Sequence, residues 1–561
     1  MVLLLLMLAQ AAPALPSSYV DSTWAAPTGP VVVVPPGGNL QSAINAASLN
    51  STIVLSAGVT YTGNFTLPAK SGSGWIYIVS SGTLPPPGTR ATPANAPAMA
   101  RVLGGSGLPA FSAAASAHHY RLVGLEISVP AGEDNYDIVR FGGSPTSTSQ
   151  LAHDLVIDRC WIHGNDPDNV KNGVVLNGGA AAIVDSTIEN IHAESGVSTF
   201  ESHAIAGFTG TGPFKIVNNF LEASHITILF GGAVASIPGA VPGDMEIRRN
   251  HMTKRLSWWP AHASFAGTTW GVKNLFELKN ARRVWLDGNL LENCWPSDPA
   301  VAGGPQHGWA VLLTTRDEGG AMPWAVVEDV TITNNIIRHA NAGFSLYGSE
   351  GAGAHRIRIA NNVLDDIGGS WGVNDKTGRL CQGTDTTDVV FDHNTMFHTG
   401  NNIIFAYGGG LAPLAFTNTI TENGAGFTGV TTSGFAANVL VGGPGAPASM
   451  SGVGFVDLAG GDYRLAPSSA YSDAATDGTD IGCDIDALES AMGGAAPPPA
   501  PPPPGGGSGG GGGGGCGCTG WEALLVLLVL HGAARLRRRT PAERARGLRR
   551  GGLSPDGVRR R

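Results

Sequence analysis

A chain of 561 residues has room for several domains, but its charged fraction is 14% and it contains 81 glycines. This composition suits a β-structure with many tight turns. The formal net charge of −9 at pH 7 argues against a nucleic-acid partner. The six cysteines include no CxxC pair, so no structural zinc site is expected.

The N-terminus has the character of an export signal. Residues 1–14, MVLLLLMLAQAAPA, join an apolar run to small residues of the kind found at cleavage sites. The usual basic start is missing, and the alternative is an apolar N-terminus buried in the fold. We interpret 1–14 as a signal peptide, which predicts an exported protein.

A short amphipathic segment follows. Gly38–Ile44 leads into an apolar run at Thr52–Leu55. The pattern predicts a short helix that covers the first coil of a repeat domain, because the ends of such domains need caps.

Eight segments then repeat one pattern: an apolar residue, two polar residues, a small polar residue, one further residue and an apolar residue. The small polar position is held by Cys160, Thr187, Asn219, Asn250, Asn289, Asn335, Asn362 and Asn394. Successive spacings run from 27 to 46 residues, a period typical of solenoids. The segments are rich in Ile, Val and Phe and are bounded by Gly and Asn, so the repeating unit is a strand.

Asn at the same place in successive coils indicates a ladder of stacked amides at one corner of a solenoid. The sequence therefore predicts an all-β fold, a single-stranded right-handed parallel β-helix with an N-terminal cap, over residues 15–490. The cap segment, the ladder and the closing segments Asp462–Leu465 and Asp480–Gly482 resemble the pectin-lyase-like right-handed parallel β-helix proteins over about residues 36–490. The resemblance implies a fold and leaves the activity open.

Second strands lie between the ladder segments, and alternation along them predicts which side chains face outward. The residues expected inside are Phe276, Leu278, Val311, Leu313, Phe344 and Leu346. Those expected outside are Leu275, Glu277, Lys279, Thr314, Arg316, Ser345, Tyr347 and Ser349. Parallel strands stack about 4.8 Å apart, so Glu277, Lys279, Arg316 and Tyr347 would share one patch. A slip of one residue would invert this face.

The two longest ladder intervals, 39 and 46 residues, predict loops at about 253–274 and 295–310. Tryptophan is concentrated around them, and exposed indole faces stack on sugar rings. The alternative is that these rings pack the loops onto the solenoid. The candidate substrate-binding tryptophans are Trp258, Trp259, Trp270, Trp295 and Trp309.

A basic segment, EIRRNHMTKR, precedes the first loop and contains Arg248, Arg249, His251 and Lys254. A basic surface on an acidic protein predicts an anionic ligand. For an exported β-helix we expect a polysaccharide of uronic acids, and we place Arg248 and Arg249 among its binding residues. The alternative is a solvated charged face.

Lyase chemistry on a uronate needs a neutralising cation, a base and an acid. Glu277, Lys279 and Arg316 are similar to the arrangement in β-helix alginate lyases and chondroitinase B. That resemblance implies Glu277 as a Ca²⁺ ligand, Lys279 as the base and Arg316 as the assisting acid, with Ca²⁺ as the expected cofactor. Further candidates for catalysis are Tyr347, His251 and Lys254.

Two other functions stay open. A non-catalytic surface adhesin or glycan-binding protein would explain the tryptophans and the basic segment without acid or base. A glycoside hydrolase would need paired carboxylates, for which Asp365 and Asp366 are the candidates. In each case we expect a monomer with a polysaccharide partner.

The C-terminus has its own order of segments. A Pro/Gly-rich linker spans 491–515, Cys516 and Cys518 with an apolar run and an Arg cluster span 516–540, and a basic tail spans 541–561. Residues 510–540 resemble the MYXO-CTERM sorting signal of myxobacterial surface proteins. The resemblance implies lipid attachment at Cys516 or Cys518 and display on the outer membrane. The alternative is a plain membrane anchor with the positive end inside.

Overall fold

The computed structural model of the protein describes residues 10–297, 306–317, 319–400, 402–422 and 426–494. Within them the chain winds through three parallel β-sheets, which we call A, B and C in the order in which each coil visits them. Most of the predicted linker, Cys516, Cys518 and the basic tail lie outside the described residues, as do residues 1–9 of the predicted signal peptide. Among the described residues, no helix is long and apolar enough to span a membrane.

Each sheet is a stack of strands from successive coils. Sheet A has fourteen strands: Val31–Val34, Ser51–Leu55, Ile76–Ser80, His118–Val123, His153–Asp158, Ala181–Val184, Phe214–Val217, Gly243–Arg248, Ala281–Asp287, Val326–Thr333, Gly353–Ala360, Thr386–Asp392, Leu411–Thr417 and Val430–Ala436. Sheet B has thirteen: Thr60–Thr62, Ala100–Leu103, Leu125–Ser128, Trp161–His163, Thr187–Ile191, Phe220–Ala223, His251–Thr253, Leu290–Cys294, Ile336–Ala340, Val363–Ile367, Thr395–His398, Ile420–Thr421 and Val439–Leu440. Sheet C has twelve: Phe65–Leu67, Phe111–Ala113, Asn135–Phe141, Val170–Leu176, His203–Gly207, Ile226–Phe230, Asn274–Leu278, Trp309–Thr314, Ala342–Tyr347, Cys381–Thr384, Ile404–Ala406 and Phe427–Thr428.

Neighbouring strands within the three sheets come from successive coils and run parallel, which is the arrangement of a right-handed parallel β-helix. Apolar residues in register stack on one another along the solenoid. Phe276 pairs with Val311, and Val311 pairs with Phe344. Such aliphatic and aromatic stacks form one continuous buried core along the solenoid. The predicted all-β fold is therefore confirmed.

The amide ladder lies at the corner between sheets A and B. Asn289 Nδ2 donates to Asn335 Oδ1 at 2.9 Å and to the carbonyl of Ile247 at 2.9 Å. The same pattern links the Asn residues from 219 to 394. One predicted member is wrong: Ser186, not Thr187, occupies the rung, because its amide donates to Asn219 Oδ1 at 2.9 Å.

The predicted cap is confirmed as helix Leu40–Ala46. The Asn39 side chain accepts a hydrogen bond from the amide of Ser42 at 2.9 Å, which caps the first turn. Leu40 and Ile44 are buried in the main core, so the helix closes its N-terminal end.

The far end is closed by other short elements. Phe455–Asp457 and Asp462–Leu465 pair as antiparallel strands, and helix Ile485–Ala491 packs on residues of sheet B such as Leu290 and Ile336. The remaining helical turns are the 3₁₀ segments Pro93–Ala98, Thr148–Gln150, Leu256–Trp258, Gly369–Trp371 and Met450–Gly452. Cys160, Cys294, Cys381 and Cys483 are buried free thiols.

Candidate functional site

The predicted outward patch lies at the ends of three neighbouring strands of sheet C. Lys279 follows Asn274–Leu278, and Arg316 follows Trp309–Thr314 shortly after its end. The Arg316 amide donates to the Lys279 carbonyl at 3.2 Å, so the two residues are neighbours on successive coils. The Arg316 guanidinium carbon is 5.4 Å from the centre of the Tyr347 ring. The structure thus brings Lys279, Arg316 and Tyr347 together.

The predicted strand register agrees with the structure at the interior positions, where Phe276, Leu278, Val311 and Leu313 all lie in the core. Leu275 is the exception, because it is buried in the same core instead of facing outward. Asn274 takes the outer position instead, and its Nδ2 donates to Glu277 Oε2 at 2.7 Å.

A groove of about 980 Å³ runs beside this patch, between sheet C and the loop segments that cross it. Its lining includes the cations Lys171, Lys273, Lys279 and Arg316 and the carboxylates Glu194 and Glu201. A second depression, of about 320 Å³, shares Lys279 and Arg316 with the groove and extends toward Glu350. Lys279 and Arg316 therefore lie where the two depressions meet.

Two glycines leave room for the Lys279 side chain. Gly231 and Gly232 end the preceding strand with φ of 86° and 99°, a backbone region that favours glycine. A Cβ at Gly232 would approach Lys279 Cδ to 2.9 Å. The Gly-Gly pair thus lets the lysine lie across the preceding coil.

Lys279 is held in its charged form. Its Nζ lies 3.1 Å from Glu277 Oε1, and Glu277 is itself buried. Burial alone would lower the pKa of Lys279, but the carboxylates of Glu277 and Glu201 outweigh burial and raise this pKa above its usual value. At neutral pH the group is an ammonium ion.

Glu277 does not have the surroundings of a calcium ligand. Calcium takes six to eight oxygen ligands, whereas the Glu277 carboxylate faces the Lys279 ammonium and the Asn274 amide. Among the residues that the structure describes, no group of three His, Cys, Asp or Glu side chains converges on it. These donors do not fit the ion, and we derive no step through it.

Sequence reasoning missed the opposite wall of the groove. Lys273 Nζ donates to Glu201 Oε1 at 2.8 Å. Burial alone would raise the pKa of Glu201, but the charge and hydrogen bond of Lys273 outweigh burial and lower this pKa to about 2. Behind them, His203 Nδ1 lies 2.8 Å from Asn172 Oδ1, and its Nε2 is buried without a hydrogen-bond partner. Burial lowers the pKa of His203 well below its usual value, so the imidazole is neutral.

These residues had no sequence signal of their own. The ladder pattern marks one corner of each coil, whereas Glu201 and Lys273 precede sheet C strands that lie far apart in the chain. Only the stacking of coils brings them together. The sequence signal that could have identified His203 is period-two alternation along the strand His203–Gly207.

The basic segment 246–255 does not form one surface. It turns the corner of the coil, so that Arg248 ends a strand of sheet A, whereas His251 begins a strand of sheet B. Arg248 Nε is 2.9 Å from Asp287 Oδ2, His251 Nε2 is 2.8 Å from Glu292 Oε1, and the Arg249 amide donates to the Asp287 carbonyl at 3.2 Å. Arg248, Arg249 and His251 thus belong to other faces than the sheet C groove.

Lys254 does not face a ligand, which corrects the expectation that it reaches substrate. Its side chain is 0% exposed. Its Nζ donates to the carbonyls of Ala223, His225 and Asn274 at 3.2, 2.9 and 3.0 Å. Burial lowers its pKa to about 8. Lys254 ties the long loop to the solenoid.

The tryptophans are buried, so the expectation of exposed stacking faces is wrong. Trp258, Trp259, Trp270 and Trp295 form one apolar cluster with Trp371. The Trp259 ring stacks on Trp295 and Trp371 with centroids 5.3 and 4.9 Å apart, and Trp309 is also buried. These rings pack the loops, which was the alternative interpretation.

No family model and no curated protein matches the sequence. Among solved structures, a pectate lyase is 14% identical with a TM-score of 0.37, and the match covers 83% of this chain and 98% of that one. An alginate lyase from Paenibacillus sp. is 14% identical with a TM-score of 0.25, covering 72% of this chain and 97% of that one. The tailspike of E. coli bacteriophage HK620, solved with a pentasaccharide, is 10% identical with a TM-score of 0.33, covering 73% and 66%. At these values the likenesses carry no argument about activity.

Fold and groove together define the class of this molecule. It is a right-handed parallel β-helix whose sheet C carries a groove with four cationic side chains.

Proposed function

We propose that the protein binds an anionic, uronate-containing polysaccharide in the sheet C groove and cleaves it by β-elimination. The observation that carries this proposal is the position of Lys279 and Arg316, side by side on successive coils where the two depressions meet. A groove lined with cations attracts a polyanion and raises its local concentration.

Lys279 and Arg316 of the groove, together with Tyr347 beside Arg316, have the chemistry for each part of the elimination. Arg316, whose side chain is 46% exposed, holds the substrate carboxylate, since a guanidinium pairs with a carboxylate through two parallel hydrogen bonds. The neutral form of Lys279 removes the C5 proton. As the C4–O bond breaks and the C4–C5 double bond forms, Tyr347 gives its phenolic proton to the leaving oxygen and recovers one from solvent.

The test is the appearance of ultraviolet absorbance from the unsaturated uronate product. The full-length protein is incubated with alginate, pectate and glycosaminoglycans, each with and without added Ca²⁺. We expect absorbance to rise with one polymer, which names the substrate. A folded protein that produces no unsaturated product from any of these polymers contradicts the lyase.

A second candidate is a glycan-binding protein without catalysis, and the ion pairs favour it. The ammonium of Lys279 lies against Glu277, that of Lys273 against Glu201, and Arg316 Nη2 is 3.2 Å from Glu350 Oε1. A cation held in an ion pair stays protonated, so it does not act as a base. On this alternative, the polymer is retained by the protein and no product forms.

The hydrolase alternative finds no support in the geometry. Asp366 accepts a hydrogen bond from Trp371 Nε1 at 2.6 Å, whereas Asp365 is hydrogen-bonded to Tyr463 and lies near Arg338. The two carboxylates therefore have different surroundings, and a hydrolase needs both at one bond.

Surface display remains part of the proposal. A lipid on Cys516 or Cys518 would hold the groove outside the cell, where a polysaccharide is available. In the native host, we expect the protein in the outer-membrane fraction. Replacement of both cysteines by serine should release it into the medium, and retention of the double variant in the membrane contradicts lipid attachment at these residues.

A further inference from the structure

A cluster of imidazoles lies on sheet A, away from the groove. His118 and His153 begin neighbouring strands and pair in register, with rings stacked at a centroid distance of 5.2 Å. The next residue on each strand is His119 and Asp154. Both have left-handed backbone, with φ of 58° and 52°, and this break in alternation keeps each beside the preceding histidine on the outer face.

The side chains converge on a small space. His153 Nδ1 lies 2.6 Å from Asp154 Oδ2, and His119 Nδ1 lies 3.8 Å from the same oxygen. One ligand atom from each of His119, His153 and Asp154 lies within 4.8 Å of the others. Ligand atoms around a tetrahedral dication with metal–ligand bonds of about 2 Å lie roughly 3.3 Å apart, so these side chains would move slightly closer together on binding the ion.

The neighbours leave the cluster accessible and oriented. His118 Nε2 lies 2.8 Å from the Lys70 carbonyl. A carbonyl only accepts, so neutral His118 carries its proton on Nε2. Its bare Nδ1 then accepts a hydrogen bond from His119 Nδ1 at 2.9 Å, which leaves Nε2 as the metal-binding nitrogen of His119. On the next coil is Gly179, where a Cβ would meet His153 Cβ at 3.2 Å. A larger residue there would crowd the imidazole.

Other coils fill the same position of sheet A with paired charges. Arg283 bonds Asp244 at 2.7 Å, and Arg356 bonds Asp329 at 2.7 Å. There a guanidinium satisfies the carboxylate and offers no lone pair. At the His119–Asp154 coil, imidazoles replace the guanidinium, and neutral imidazoles are ligands for zinc.

We propose that His119, His153 and Asp154 bind a dication of the zinc class and clamp two successive coils of sheet A. The donor set is two imidazole nitrogens and one carboxylate oxygen, which leaves one tetrahedral position for water. His118 is a positioning residue that fixes the orientation of His119. The site is separate from the proposed polysaccharide groove and does not depend on it.

The experiment titrates Zn²⁺ by calorimetry into the full-length protein after chelator treatment, without a histidine tag. Four proteins are compared: the wild type, His119→Gln, Asp154→Asn and the control His262→Gln, whose imidazole lies on the loop near Ser264. We expect the wild type and control to share one Zn²⁺ event that both site variants weaken by about tenfold or more. Any zinc bound by cysteine thiols elsewhere in the chain would give the same calorimetric signal in all four proteins.

Thermal melting supplies the second readout and shows that each variant is folded. A ligand that binds the folded state raises the melting temperature, so Zn²⁺ should stabilise the wild type and the control more than either site variant. His119 and Asp154 are about one third exposed, so both variants should fold. Equal Zn²⁺ affinity and equal thermal shifts in all four proteins would overturn the proposal.

Discussion

Lys279 is the residue whose ionisation the proposed elimination uses, and its surroundings set the pH at which it can act. Burial lowers its pKa, Glu277 and Glu201 raise it, and the carboxylates prevail. Because a lysine accepts a proton only in its neutral form, kcat/KM should rise as pH rises from neutral toward this raised pKa. The measurement is the pH profile of product formation. A profile that is already level below neutral pH would contradict Lys279 as the base and point to the imidazole of His203, whose pKa burial lowers well below its usual value.

Lys254 makes a prediction about stability. Lys254→Met removes three buried hydrogen bonds from a charged donor, each worth about 1.5–3 kcal/mol, although the His225 carbonyl keeps the amides of Lys273 and Asn274 as donors. Allowing for relaxation, we expect the free energy of unfolding to fall by about 2–4 kcal/mol, measured by urea denaturation. The control is Lys70→Met, because the Lys70 ammonium donates to the Asn45 carbonyl in an exposed setting. Equal stability of the two variants would show that the buried hydrogen bonds contribute little.

At the residue scale, the sequence predicts more about strands than about loops. Period-two alternation placed Glu277 and Lys279 on one side of their strand because a strand has two faces. It could not show that Lys254 points inward, since this residue follows a strand end and its direction depends on the path of the loop. The prediction for Leu275 was wrong because Leu275 and Phe276, two successive residues of the strand, both pack inward.

The amide ladder is the element that most directly ties sequence to fold. Asn289 donates to Ile247 and Asn335, and its oxygen accepts from Asn250 Nδ2 at 3.0 Å. Asn289→Ala removes these bonds in the middle of the stack, and we expect a loss of about 2–4 kcal/mol in unfolding free energy. Asn289→Ser should cost less, because Ser186 already fills a rung. Chemical denaturation checks both, and an Ala variant no less stable than Ser would contradict the ladder's role.

The tryptophan cluster makes a different prediction from a sugar-binding platform. Trp259→Ala removes a buried ring that stacks on Trp295 and Trp371, and loss of a large buried aromatic costs about 3–5 kcal/mol. We expect a lower melting temperature and an unchanged KM for the polysaccharide in the folded fraction. A stable variant with a raised KM would instead place Trp259 against the substrate.

Elements with a repeat were predictable and elements without one were not. The ladder spacing predicted where the strands of sheet B begin and where the two long loops are inserted. It could do so because each coil must return to the corner between sheets A and B. The one slip, Thr187 for Ser186, came from aligning a segment by its polar residues without its neighbours. Packing of tryptophans in the loops follows from contacts between segments 254–273 and 369–371, which share no periodicity.

For the whole molecule, the solenoid and its cap followed from the sequence, whereas the groove did not. Stacked coils place residues of distant segments in one line, so that Lys171, Glu201, Lys273 and Arg316 line a single surface. The charge pattern alone gave a wrong prediction, since the basic segment 246–255 runs from sheet A around the corner of the coil to sheet B. A site on a solenoid is defined by position across coils, which requires the register of the strands.

The central claim is that this groove performs β-elimination with Lys279, and a pair of matched variants tests it most directly. Lys215 is a lysine on sheet A whose Nζ is 3.9 Å from Glu246 Oε2, and its side chain is 23% exposed against 16% for Lys279. On the polymer that the wild type cleaves, Lys279→Met should lower kcat/KM by about 10²–10⁴-fold, the contribution of a general base. Lys215→Met should retain wild-type activity. Equal activity of the two variants, with both folded, would contradict the assignment of the reaction to this groove.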